Sequence, residues 1–182
     1  MAWSDDFMAL AHWALQSEDL RHRLMGADTP SDIDSTPGIA WAYEGTLVQA
    51  ILQAAIFKGY RWGKTVSFEE PYPGERDGNG PRADLAFKDA GRGKNWAYIE
   101  VKRYSAPQGI NDDIEKLRTI KGRAQRWVFT YRVRKRRGTK SLEELLGRNF
   151  QNDLMVIEAR SFPTFTLEGE EGLCELALAR VR

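Results

Sequence analysis

Residues 81–104, PRADLAFKDAGRGKNWAYIEVKRY, decide how the rest of this chain is read. The runs 81–89 and 95–104 each set apolar residues at alternate positions and are rich in strand formers, and Gly91-Arg92-Gly93-Lys94-Asn95 between them is turn chemistry. The spacing predicts a β-hairpin. Strand side chains point alternately to opposite faces, so Ala97, Ile99 and Val101 share one face while Trp96, Tyr98, Glu100, Lys102 and Tyr104 share the other. In the first strand Arg82, Asp84 and Ala86 oppose Leu85 and Phe87, and a paired register can bring Asp84 beside Glu100. The alternation by itself leaves that register open.

Cleavage of a phosphodiester calls for a hard cation that neutralises the phosphate and activates water, and Mg²⁺ prefers carboxylate and carbonyl oxygens with several waters retained. Asp84 and Glu100 are candidate ligands, with the Val101 carbonyl as a third donor. Lys102 falls on the Glu100 face, where its ammonium can stabilise charge developing at the phosphoryl group or orient the attacking water. Each residue alone also fits a solvated sheet, with Asp84 in a turn and Glu100 with Lys102 as a same-face ion pair of little energetic weight. Taken together, with Tyr98 and Tyr104 beside them, they read as a site.

Pro81-Arg82-Ala83-Asp84 followed by Glu100-Val101-Lys102 resembles the PD-(D/E)XK nuclease superfamily, with two residues between the proline and the aspartate where the motif has them adjacent. The resemblance implies a restriction-endonuclease-like α/β fold, a central mixed sheet flanked by helices in the order helix, three strands, helix, strand. The chain follows that order over about residues 37–134. Thr36-Pro37 reads as a helix start and Gly59 as its stop, predicting a helix over 37–58. Residues 61–70 read as a first strand, the hairpin supplies two more, 110–121 reads as an amphipathic helix and 124–133 as a further strand.

Glu44 stands in line with Leu47, Val48, Ile51 and Ala55 on the expected first helix, on its apolar stripe. A carboxylate there needs a metal, a lysine or backbone donors nearby, or its tip must reach back to water. In the resembled family an acidic residue of this helix often joins the site, which makes Glu44 the fourth candidate.

Charge bounds the partner. The 182-residue chain has a formal net charge of +1, so it is no general polycation, yet residues 121–140 carry no acid and hold Arg132, Arg134, Lys135, Arg136 and Arg137. The first 36 residues lean acidic. This asymmetry can steer a polyanion to one face, and the basic segment reads as a loop or strand end that grips phosphates without reading bases. Residues 71–81, dense in turn formers, border Asp84, and Glu69, Glu70, Glu75 and Asp77 are available as an additional carboxylate.

Other chemistries find little support. One cysteine excludes an internal disulfide and a multi-cysteine zinc site and fits a reducing, cytoplasmic setting, and two histidines far apart do not form a histidine metal cluster. No phosphate-binding Gly-x-x-x-x-Gly-Lys or Gly-x-Ser-x-Gly elbow occurs, no apolar run reaches the roughly 20 residues of a membrane span, and the N-terminus lacks the basic start of a signal peptide. Residues 4–25 read as one or two helices covering the core or forming a dimer contact, and 135–182 as a C-terminal extension with a short helix at 141–146 and strands at 153–159 and 173–181. The reading is one nuclease-like domain over 1–182: a Mg²⁺-dependent endonuclease, Mn²⁺ being a substitute cation, acting on DNA in preference to RNA, with a homodimer called for if both strands are cut. The alternatives are a nuclease-fold nucleic-acid-binding or assembly subunit without turnover, and an interaction protein whose triad is a surface ion pair.

Overall fold

The computed structural model describes residues 3–29, 32–33, 36–59, 65–73, 80–88, 94–137 and 140–182. Its elements are α1 (Trp3–Gly26), a 3-10 turn (Ile39–Trp41), α2 (Glu44–Phe57), β1 (Val66–Pro71), β2 (Arg82–Lys88), β3 (Asn95–Arg103), α3 (Pro107–Arg118), β4 (Gln125–Lys135), α4 (Leu142–Asn149), β5 (Leu154–Phe165) and β6 (Glu171–Val181). The strands form one six-stranded mixed sheet in the order β1-β2-β3-β4-β6-β5. Only β3 and β4 are parallel, and their connection is α3, the crossover that a parallel pair requires. The protein is therefore α/β, a mixed sheet flanked by helices.

Alternation along the strands divides the core in two. Leu85, Phe87, Ala97, Ile99, Val101, Phe129, Tyr131, Leu176 and Leu178 face α1 and α2, which bring Phe7, Met8, Ala11, Leu15, Leu47, Val48 and Ile51. Ala86, Tyr98, Val128, Ala177 and Ala179 face α3 and α4, which bring Ile110, Ile114, Leu117, Leu142 and Leu146. The C-terminal extension is thus part of the core, since β6 lies between β4 and β5 and feeds both faces. Trp96 departs from its expected face. It packs on the α1 side, 5.1 Å from the Trp3 ring, because the β2–β3 register shifts between Phe87 and Lys88 and resets the alternation at the start of β3.

The first core helix is shorter than its sequence signals suggest. It begins at Glu44, behind an extended Tyr43, and not at Pro37; the stop at Gly59 holds, with φ 68°. The cause is tertiary. Asp19 of α1, 3% exposed, accepts the Ile39 N–H at 2.8 Å and the Thr164 hydroxyl of β5, and lies 3.8 Å from Arg23. A Cβ at Gly38 would overlap Asp19. Docking on that carboxylate holds 38–41 in a tight turn and delays the helix. Asp19→Ala leaves a buried N–H and hydroxyl without their acceptor, and is expected to lower stability by about 3 kcal/mol in urea unfolding, whereas a surface aspartate would change it by under about 0.5 kcal/mol.

No helix among the described residues is long and apolar enough to cross a membrane. The strand expected at 153–159 runs on to Phe165 as β5; the remaining strand and helix expectations agree within a few residues, with α3 starting earlier than predicted, at Pro107, where proline suits the first helical position. Residues 61–64 of the expected first strand lie outside the described residues.

Candidate active site

The ladder between β2 and β3 runs from Lys88↔Asn95 to Leu85↔Ile99. One step further stand Asp84 and Glu100, and there the strands exchange a different bond: the Val101 N–H donates to Asp84 Oδ2 at 2.7 Å. The other neighbour of β2 is irregular at the same level. Phe68 pairs with Leu85 and Glu70 with Ala83, while Glu69 between them adopts a left-handed φ of 48°, a conformation that costs a non-glycine residue energy. Asp84 is therefore released from regular pairing on both sides, and its side chain takes over a backbone donor of the next strand.

Glu100 is 4% exposed and accepts a hydrogen bond on Oε1 from the Tyr72 hydroxyl. Burial pushes its carboxyl up, and although the Tyr72 bond opposes the rise, the charges of Asp84 and Asp113 add to it, giving a pKa of about 8. Burial likewise raises Asp84; the Val101 bond lowers it, Asp113 raises it again, a bond with Glu100 lowers it and Glu44 raises it. The two carboxyls are thus held together in a site that resists their joint ionisation, an arrangement typical of functional centres.

Lys102 Nζ lies 3.3 Å from Glu44 Oε2, and Glu44 Oε1 accepts the Arg103 N–H at 3.0 Å. The lysine and backbone donors that the stripe position of Glu44 demanded are both present. As the first residue of α2 it is only partly buried, so it works less as a buried charge than as a clamp between that helix and the end of β3. The Lys102 stem passes under α3: a Cβ on Gly109 would lie 3.3 Å from Lys102 Cε.

Three members of the site were not singled out from the sequence. Tyr72 sits between two prolines and is kept on the ladder by its N–H bond to the Pro81 carbonyl at 3.2 Å. Asp113 occupies the apolar stripe of α3 beside Ile110, Ile114 and Leu117 and is 3% exposed; Lys116 Nζ lies 2.8 Å from its Oδ1, and its Oδ2 has no hydrogen-bond partner. Asp113 stands on the apolar stripe of its helix as Glu44 does on that of α2. Of the acids considered as a further carboxylate, Glu70 is engaged by Lys88 at 3.1 Å and Asn95 at 3.3 Å, Glu69 is exposed, and Glu75 and Asp77 lie outside the described residues.

Among the described residues no group of three or more His, Cys, Asp or Glu side chains is placed to hold a metal ion. Mg²⁺ does not need one, being held by one or two carboxylates with waters retained. Asp84, Glu100, Asp113 and Glu44 offer carboxylate oxygens of the kind such an ion takes, with Lys102 paired to Glu44 and Lys116 to Asp113, and an oxygen of buried Asp113 has no partner.

The basic segment is largely paired. Arg132 and Arg134 each reach Glu175 at 2.8 Å, Lys135 reaches Glu170 at 2.5 Å and Arg136 approaches Glu171 at 3.6 Å; Arg137 is exposed. Burial pushes Glu175 up, but the bonds from Arg134 and Arg132 outweigh it and hold the carboxyl below its usual range. Arg132, Arg134 and Lys135 belong to β4, which outruns β3 at the end where Arg103 pairs with Tyr131, so they extend past β3, still paired with β6, at the same end of the sheet as Lys102.

No family model, curated protein or solved structure matches this chain.

Proposed function

We propose that the protein is a metal-dependent endonuclease that hydrolyses phosphodiester bonds in DNA, a divergent relative of the PD-(D/E)XK nucleases. The carrying observation is the placement of Asp84 beside Glu100 where β2 and β3 part, with Lys102 next on the same strand and clamped by Glu44. The chain order α2, β1, β2, β3, α3, β4 supports a restriction-endonuclease-like core, to which β5 and β6 add.

Asp84, Glu100 and the Val101 carbonyl would hold Mg²⁺, which supplies electrophilic assistance to the phosphate and acidifies water. The chain's own contribution is positioning. Asp84 is oriented by the Val101 N–H, and Glu100 by the Tyr72 hydroxyl. Lys102 brings a compact positive charge to the phosphoryl group, and Glu44 keeps its flexible stem from sampling other rotamers. Arg137 and the paired residues Arg132, Arg134, Lys135 and Arg136 are candidates for DNA-backbone contacts, the paired ones exchanging a carboxylate for a phosphate.

The test is cleavage of supercoiled plasmid and of a mixed-sequence single strand under Mg²⁺, Mn²⁺ and EDTA. Cutting that needs the cation supports the nuclease reading. DNA binding that is equal in EDTA, with no cutting, would replace it by a binding or assembly subunit.

Gly109→Ala makes a finer test. Alanine in a helix is favoured over glycine by about 1 kcal/mol, so stability should hold or rise, while the added methyl pushes Lys102 by a few tenths of an ångström. We expect a several-fold fall in turnover with an unchanged or raised melting temperature. An unaltered turnover would show that the Lys102 stem is not positioned by α3.

A further inference from the structure

Helix α3 presents one stripe to the strand it covers. Gly109, Asp113 and Lys116 are spaced by four and three residues, so they share a helix face. Gly109 abuts the Lys102 stem, and Asp113 lies close enough to Glu100 and Asp84 for its charge to raise both carboxyls. Lys116 continues the line. Its ammonium lies 2.8 Å from Asp113, its side chain is 47% exposed, and it is held protonated first by its bond to Asp113 and further by the charges of Glu100 and Asp84. The ammonium is thus held by Asp113 near the carboxylate pair while the side chain stays about half exposed to solvent.

Stability does not account for the pair. Ion pairs three residues apart contribute about 0.2–0.5 kcal/mol on exposed helix faces. Here the acid is buried among Ile110, Ile114 and Leu117, beside two like charges, with one oxygen unpartnered, and an apolar residue would pack there at lower cost. An aspartate under those conditions holds Lys116 where a lysine without a partner would drift into water.

We propose that Lys116 is a second phosphate-binding cation of the site, contacting the DNA backbone next to the scissile bond, and that buried Asp113 is its positioning residue. This rests on the nuclease reading for its substrate. The two lysines then come from different elements, Lys102 from β3 and Lys116 from α3.

The experiment measures binding of a labelled mixed-sequence duplex by fluorescence anisotropy in EDTA, across a salt series, and cleavage in Mg²⁺, for wild type, Lys116→Ala, Lys116→Arg and Asp113→Asn. Loss of one phosphate contact reduces the slope of log affinity against log salt by about 1. Lys116→Ala should show that reduction with a several-fold weaker affinity, and Lys116→Arg should restore both. Asp113→Asn should keep the slope while lowering the cleavage rate about tenfold, because the charge remains and its placement is lost. If Lys116→Ala lowers the melting temperature while slope and rate are unchanged, the pair is a helix clasp and the proposal fails, with the nuclease reading intact. If wild type cuts under no metal condition yet Lys116→Ala still loses slope, the nuclease reading fails and the phosphate contact stands. A wild type that does not bind the duplex overturns both.

Discussion

Asp84→Asn is expected to reduce Mg²⁺-dependent DNA cleavage by at least roughly 10²–10³-fold, the loss typical of removing one group that acts on the transition-state charge. The fold should survive. Asparagine has nearly the same shape, and its side-chain oxygen can still accept the Val101 N–H now 2.7 Å from Asp84. What disappears is a negative charge, and the charges of Glu100, Asp113 and Glu44 are then relieved of a neighbour, so the cation-free variant should be at least as stable as wild type. Lys102→Ala, which removes the ammonium and frees Glu44, should fall in the same range. Plasmid nicking, urea unfolding and circular dichroism on the purified variants separate the effects. Retained cleavage in Asp84→Asn would remove this carboxylate from the chemistry and with it the reading of the site.

Glu100→Gln should be more stable than wild type at alkaline pH and inactive at every pH. The sign follows from the carboxyl's rise from an ordinary 4.5 to about 8 in the folded protein. Below about pH 4.5 both folded and unfolded chains keep the proton, and the group makes no difference. Between about 4.5 and 8 only the folded state retains it, so stability falls as pH rises, and above about 8 the full cost of ionising a buried acid is present. That cost is on the order of 3 kcal/mol or more. Glutamine cannot ionise and can still accept from Tyr72, so the variant should pull ahead of wild type by about that amount at pH 9 and match it at pH 4. Added Mg²⁺ should restore wild type at pH 9, because a ligand that binds only the folded state stabilises it, and should leave Glu100→Gln unchanged. Parallel pH profiles for the two proteins would show that Glu100 ionises in the folded protein as easily as in the unfolded chain.

Most of the site was legible from alternation and spacing. Period-two patterning put Glu100 and Lys102 on one face of β3, and the helical stripe through Leu47, Val48 and Ile51 marked Glu44 as a carboxylate needing partners, which Lys102 and the Arg103 N–H supply. Asp113 is equally legible by the same rule, on the apolar stripe of Ile110, Ile114 and Leu117. Tyr72 was not legible: its role depends on the Tyr72–Pro81 closure, a contact between the two ends of a turn-rich loop. The basic run shows the opposite limit. Sequence marks Arg132 and Arg134 as free cations, because the acid that pairs both, Glu175, lies about forty residues away along the chain and reaches them only when β6 pairs with β4.

By itself the sequence determined the elements and their faces, because strand alternation and helical stripes are local consequences of backbone geometry and apolar burial. Only the tertiary structure decided the late start of α2 on Asp19, the parting of β2 from β3 at Asp84 and the placing of α3 over Glu100 and Lys102. Each of these is set by contacts between residues far apart in the chain, where register and docking are chosen by the packing of the whole core and no local pattern carries the information.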